Sequence, residues 1–476
     1  VRGPADRIWS GAEPDEVRAD LAPLVSFGEE GRPLDEIRVA VQRRLLPHLV
    51  RYDHPGFHAL YNFRPEEGAA FGARVALEWN QGVTNWQVSP GGVVLEELLC
   101  RRLCRLFQLG EAAGATFLYS GTYANHQALF LALHRRAEER GFSLAEAGLA
   151  GFASGRRPVF LASEEAHFSV RQSVRLLGVG EEGVVSVSAD GHGRIDPEAL
   201  GRAWSAEVGE GRDPVAVVLT LGTSSTGALD PLEASLEALE EARGAPPGEH
   251  PRPWIHVDGA YGLAFRLLPE FRAHFQELEA ADSATWDPHK QFGVPIPSSL
   301  LFVRRRADLL RMAVHGDYFN RPDEALPNPG LHSPPSTRPL QALPLALTLL
   351  HRGLEGVRAD LRRPLEVVSR FAERVARTPD VEVASPPRLG IVCLRLRPEG
   401  LDPEAVDALQ VHLYRRTAAG GERSISLTRI GGRPVLRFLV VAPTSTPESM
   451  LATVEHLRRE AEAWRAGGAS AGTPEG

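Results

Sequence analysis

A lysine amine attacks carbonyl carbon when burial or a neighbouring cation lowers its pKa. The segment from Asp282 to Val294 sets Lys290 behind His289 and ahead of Gln291, Phe292 and Gly293, a context with little surface-lysine character. Alone, it reads first as a lysine on a strand-to-helix turn that faces water. Ser120, Gly121 and Thr122 lie between a β-rich run ending at Tyr119 and a helical pattern opening near Tyr123. Backbone N–H groups and the helix dipole would favour an anion there, or Ser120 or Thr122 simply caps the helix. His167 falls where the run Val159–Ala162 gives out, at the kind of strand end where ligands gather, and its ring face suits a planar ligand. Asp258 ends the apolar run around Ile255–Val257 beside Gly259 and Ala260, where a buried carboxylate needs a cation. Thr223 follows Val215–Thr220 in a stretch of small hydroxyl residues able to bond an anion or a ring substituent.

Each signal is weak singly. Together they supply an anion cradle, a stacking imidazole, a carboxylate for a pyridine nitrogen and a lysine for an aldehyde. That is the set pyridoxal phosphate requires.

The positioning elements follow from periodicity. β-rich runs at Thr116–Tyr119, Val159–Ala162, Val184–Val187, Val215–Thr220, Ile255–Val257 and Leu300–Val303 alternate with helical patterns at Tyr123–Arg140, Phe168–Leu177, Pro197–Ser205 and Pro231–Ala242. This α/β alternation predicts a mainly parallel sheet covered on both faces. Upstream, Pro33–Val50 and the stretch after Ser89 carry helical apolar spacing, and the loop between them concentrates Phe57, Tyr61 and Phe63. Downstream, residues 305–340 are proline-rich and loop-like, and Leu345–Val375 is helical. Strands at Ile391–Leu396, Ser424–Thr428 and Val435–Val441 and a helix at Glu448–Arg465 read as a smaller domain. The expected division is a helical N-terminal segment 1–90, a large cofactor domain 91–340, a small domain 341–466 and a disordered tail 467–476.

A chain of 476 residues with 43% hydrophobic and 24% charged content and a mean hydropathy of −0.18 is of ordinary globular composition. Net charge −8 argues against a nucleic-acid or anionic-membrane partner. No apolar run nears the ~20 residues a membrane helix needs. Cys100, Cys104 and Cys393 match neither a disulfide framework nor a metal site, and the first residues show no apolar leader. A cytoplasmic protein without a bound metal is the expectation.

The motifs also resemble a family, the pyridoxal-phosphate-dependent group II amino-acid decarboxylases, from about Tyr52 to the last helix. This group includes the glutamate, aromatic-amino-acid, cysteine-sulfinate and diaminobutyrate enzymes. The matching stretches are His54-Pro55-Gly56-Phe57, Asn80-Gln81 through Trp86 to Ser89-Pro90 and Glu96, Ser120 to Asn125, Glu165-Ala166-His167, Leu221-Gly222-Thr223, His256 to Tyr261 and Asp287-Pro288-His289-Lys290. The resemblance implies the aspartate-aminotransferase-type fold (fold type I), a homodimer with shared active sites, and decarboxylation of an amino acid through a Lys290 Schiff base. It implies cofactor contacts from Gly121, Thr122, His167, Thr223, Asp258, Ala260, Asp287, His289 and Lys290, and substrate contacts from Phe57, Phe63, Trp86 and Arg437.

Two departures stand out. Gln291 follows the lysine where the family usually has tryptophan or methionine. The stretch Ala325–His332 lacks the family's loop tyrosine, the usual Cα proton donor, and Tyr318 lies earlier. His332 is the expected substitute donor. An aldehyde synthase or another carbon–carbon lyase is therefore the alternative enzyme, and a catalytically inactive partner subunit the alternative outside catalysis. Ser336-Thr337-Arg338-Pro339 leans towards the acidic-amino-acid and diaminobutyrate branch.

Overall fold

A computed structural model describes residues 7–152, 156–244, 251–316 and 326–466. The chain divides into two compact units, one formed by Pro65–Arg362 and the other by the residues up to Arg64 together with those from Arg363 on.

The first unit carries seven strands: β1 (Gly114–Leu118), β2 (Pro158–Ser163), β3 (Val184–Val187), β4 (Asp213–Thr220), β5 (Trp254–Asp258), β6 (Ser283–Trp286) and β7 (Ser299–Val303). Their order is β1-β7-β6-β5-β4-β2-β3. β7 runs antiparallel between β1 and β6, and the other pairs are parallel. Every residue of β2, β4, β5, β6 and β7 is buried, as strands covered on both faces must be. Phe160, Val218, Trp254 and Leu301 pack against Ala128, Leu131 and Ala132 of the helix Gly121–Glu139.

One edge of this sheet is sealed by charge. Asp282, just before β6, accepts from Arg135 at 2.9 Å, from Arg252 and Arg304 at 2.7 Å each, and from the Ile255 N–H at 2.9 Å. Arg135 also lies 4.8 Å from the Trp254 ring. Three guanidinium groups and a backbone N–H so placed are the partners a buried carboxylate needs.

The second unit carries β8 (Val381–Arg388), β9 (Ile391–Leu396), β10 (Ser426–Ile430) and β11 (Arg433–Leu439), all antiparallel in the order β10-β11-β9-β8. Phe371, Leu394, Leu409, Leu436, Phe438 and Leu457 form its core. The N-terminal segment joins this unit through backbone: Phe57 bridges Ser424, the His58 N–H donates to Ser424 O at 2.8 Å, and the Leu439 N–H to His58 O at 2.9 Å.

These unit boundaries, at 64/65 and 362/363, differ from the 90 and 340 expected, because sequence periodicity does not register pairing between segments some 370 residues apart. The second boundary falls inside the helix Ala342–Val375, which bends at Gly353. The expected tail 467–476 lies outside the described residues.

Candidate active site

The parallel register aligns Thr220, Asp258 and Thr285 across β4, β5 and β6. The residues following those three strands, and those following β2, therefore meet at one edge. The helix Gly121–Glu139 starts there, with Ser120 as its cap: the Ser120 hydroxyl accepts from the Tyr123 N–H at 3.2 Å. The capping reading of Ser120 thus holds, and it leaves the Gly121 and Thr122 N–H groups ahead of the first intrahelical bond.

Lys290 lies 3.1 Å from Asp287, and its side chain is 21% exposed. Asp287 is buried, and its other carboxylate oxygen accepts from the Ser299 hydroxyl at 2.5 Å. His289 stands 4.0 Å from Asp287 through Nε2, while its Nδ1 donates to Ser298 O at 2.5 Å. Close approach here depends on missing side chains. A Cβ on Gly121 would stand 2.7 Å from an Asp287 carboxylate oxygen, and one on Gly262 would stand 2.1 Å from Leu221 O.

Asp258 is 5% exposed. It accepts from Asn125 Nδ2 at 2.7 Å and from the Ala260 N–H at 3.1 Å, both neutral donors. Among the described residues, no lysine, arginine or histidine is within ion-pairing distance of it. A carboxylate buried on neutral donors alone is costly unless a cation completes it, and a protonated pyridine nitrogen is such a cation. The Ala260 carbonyl accepts from the Asp287 N–H at 3.0 Å, so one residue ties the Asp258 turn to the lysine turn. This donor set fits pyridoxal phosphate: N–H groups for its phosphate, a carboxylate for its ring and an amine for its aldehyde.

His167 accepts at Nδ1 from the Ser169 N–H at 3.2 Å and lies 2.8 Å from the Ser169 hydroxyl. Burial lowers its pKa below the usual histidine value against the upward pull of Asp258. It is a neutral ring at physiological pH. Thr223 is buried, with its hydroxyl accepting the Ala228 N–H at 3.0 Å inside its own turn.

Not every expected residue joins this edge. His332 lines a cavity of about 590 Å³ with Glu96, Cys100, Arg306 and Asn328. That cavity also takes in Gly110 to Ala115, the start of β1, whereas the Ser120 turn follows the end of β1. A five-residue strand spans ~17 Å. Burial, with Arg306 and Arg338, lowers the His332 pKa to about 4, so its ring is neutral with one N–H near pH 7. The Gln127 side chain, on the helix Gly121–Glu139, donates to His332 O at 2.7 Å, and the proton-donor role expected of His332 stands as a proposal.

Phe57, expected to contact substrate, is 4% exposed and packs edge-on against Tyr52 beside Ile8, which makes it a packing residue in its own unit. In that unit Arg437 is buried, donates to Ala59 O at 2.8 Å and lies 5.3 Å from the Tyr61 ring, while Phe63 is half-buried. Trp86 is 39% exposed in the other unit. Tyr318 lies outside the described residues. Sequence reasoning assigned no role to Asn125 or Ser299. Asn125 stood in a quoted motif, but no spacing rule links it to a carboxylate 133 positions away.

Comparison with known proteins agrees with this geometry. A family model described as the pyridoxal-dependent decarboxylase conserved domain matches residues 14–397. An L-2,4-diaminobutyrate decarboxylase of Rhizobium meliloti (strain 1021) is 31% identical over 451 residues, covering 93% of this chain and 85% of that protein. One from Acinetobacter baumannii is 27% identical, covering 80% and 75%. The apo crystal structure of mouse CSAD superposes with a TM-score of 0.85 at 22% identity, covering 96% of this chain and 94% of that one. A neutral-donor carboxylate, an anion-ready helix start and a lysine at one sheet edge thus occur in a chain that belongs to the pyridoxal-dependent decarboxylase family, as a pyridoxal-phosphate-dependent amino-acid decarboxylase.

Proposed function

We propose that Lys290 carries the cofactor aldehyde, that Asp258 holds the proton on the ring nitrogen, and that Gly121 and Thr122 receive the phosphate. Asp258 carries this reading: it is a buried carboxylate held only by neutral donors, on the same sheet edge as Lys290. Bound pyridoxal phosphate supplies the electron sink for the bond to the departing carboxylate. Asp287, oriented by Ser299, aims the Lys290 amine. Thr223, Ala260 and His289 shape the walls. His167, being neutral, offers a hydrogen bond without the cation that would hold the substrate carboxylate in its ground state. Phe63, Trp86 and Arg437 are proposed as substrate contacts.

L-2,4-Diaminobutyrate is the first substrate to test, on the strength of the relative that is 31% identical. We infer a homodimer as the working form: Phe27, Leu77 and Trp79 are 88%, 79% and 71% exposed, apolar surface of the kind that seeks a partner. Three buried free thiols suit a reducing cytoplasm, and no helix among the described residues is long and apolar enough to cross a membrane.

The second reading, an aldehyde synthase, rests on one observation: residues 319–332 contain no tyrosine. One experiment separates them. Amino acids are screened in parallel for CO2, amine, aldehyde and peroxide. CO2 with stoichiometric amine supports the decarboxylase, and aldehyde with peroxide supports the synthase. The visible cofactor band should be present in wild type and absent in Lys290→Ala. No band in cofactor-supplemented wild type overturns the assignment of Lys290 and Asp258.

A further inference from the structure

Behind Asp258 and His167 lies a chain of buried polar groups that the decarboxylation scheme above does not use. Asn125, in the second turn of the helix Gly121–Glu139, is its hub and is 1% exposed. Its Nδ2 donates to Asp258 at 2.7 Å and to the Ser169 hydroxyl at 2.9 Å. Its Oδ1 lies 3.0 Å from His256 Nε2 and accepts from the Thr285 hydroxyl at 2.9 Å. On its other side, His256 Nδ1 lies 2.8 Å from the Ser283 hydroxyl, which accepts from Trp254 Nε1–H at 2.7 Å.

The donor inventory gives this chain one direction. An ionised carboxylate only accepts, so the Asn125 amide must turn its NH2 to Asp258 and its carbonyl to His256 and Thr285. His256 is fully buried and its pKa is lowered to about 4, so its ring is neutral with one N–H. With the Asn125 carbonyl opposite Nε2, that N–H is on Nε2, and Nδ1 accepts from Ser283. Ser283 can give its proton there because it receives Trp254 Nε1–H, which can only donate. At the far end Ser169 takes an Asn125 N–H and gives its own proton to His167 Nδ1. That leaves the His167 proton on Nε2.

We propose that Asn125 is a positioning residue at the fork of a one-way hydrogen-bond relay running from Trp254 through Ser283 and His256. One branch gives Asp258 an N–H donor; the other, through the Ser169 hydroxyl, adds to the Ser169 N–H in holding His167 as the Nε2–H tautomer. One buried amide thereby touches both branches, and every member lies within the unit Pro65–Arg362. A relay whose members are all satisfied costs little to bury, and reversing any one donor leaves a buried group unpaired.

This inference rests on the cofactor assignment of Asp258 and His167 made above, and holoenzyme tests it separately from that assignment. Asn125→Asp keeps the shape and replaces the NH2 donor by an oxygen facing Asp258. It should raise the pH midpoint of the visible cofactor band by about one unit, since an added anionic oxygen holds protons in the site. It should also weaken cofactor retention on dialysis by about tenfold. Ser169→Ala removes the hydroxyl link between Asn125 and His167 and keeps the backbone N–H on His167 Nδ1 and the Asn125 bond to Asp258: kcat should fall about tenfold with the KM and the band midpoint unchanged. A folded Asn125→Asp with the wild-type midpoint and retention overturns the Asp258 branch. A Ser169→Ala protein with wild-type kcat, or one that loses the cofactor instead, overturns the His167 branch, and it decides the matter alone if Asn125→Asp does not fold. Absence of the band from wild type would count against the cofactor assignment, whereas a wild-type band with unmoved variants counts against the relay.

Discussion

Two buried aspartates, at opposite edges of the same sheet, are solvated in opposite ways. Asp282, 2% exposed, is surrounded by Arg135, Arg252 and Arg304. Asp258, 5% exposed, has only an amide side chain and a backbone N–H. Near-identical burial therefore carries no functional meaning by itself. Asp282 is complete, and its arginines make it part of the scaffold. Asp258 is incomplete, and the missing partner is what makes it a site. A short strand, β6, connects the sealed edge to the open one: Asp282 precedes it and Asp287 follows it.

Substitutions can break this contrast. The largest effect is expected from Asp258→Asn, which removes the proposed anionic partner of the cofactor ring; kcat should fall about a thousandfold in a protein that still folds. Asp282→Asn should do the converse. It leaves three arginines around a neutral amide and should lower unfolding free energy by about 3 kcal/mol in urea titrations, with kcat per folded molecule unchanged. If Asp282→Asn instead lost activity at full stability, the division into scaffold and site would be wrong. Gly121→Ala is intermediate. Its Cβ would press on Asp287, 2.7 Å away, and should weaken cofactor binding about tenfold by spectroscopic titration. The smallest effect is expected from His332→Phe, a shift of the amine formed per CO2 released towards aldehyde. The wild-type ratio would remove His332 from the mechanism.

Much of this was legible in sequence because apolar runs bounded by small residues mark strands buried on both faces. That logic located β2, β4, β5 and β7, and with them the turns that hold His167, Thr223 and Asp258. It passed over β6, Ser283–Trp286, whose hydroxyls make it look solvent-facing. Those hydroxyls are bonded inside the core, Ser283 to Trp254 and His256, Thr285 to Asn125. It also passed over β8, where Pro386 and Pro387 interrupt the pattern; β8 is an edge strand, where proline is tolerated. The helix Pro403–Gly420 was missed although Asp402 and Pro403 give a regular start signal. Lys290, Asp258 and His167 were proposed as site residues from local context. The Asn125 hub was not, because its partners are fixed by strand register.

The contacts of Gly121 and Gly262 have a consequence for how this enzyme can change. Where a Cβ would collide with Asp287 or with the Leu221 carbonyl, the walls meet through main chain and one buried carboxylate rather than through exchangeable side chains. Such walls offer natural selection, or an engineer, almost nothing to swap. New substrates must be admitted by altering residues elsewhere, while the chamber that holds the cofactor is inherited whole.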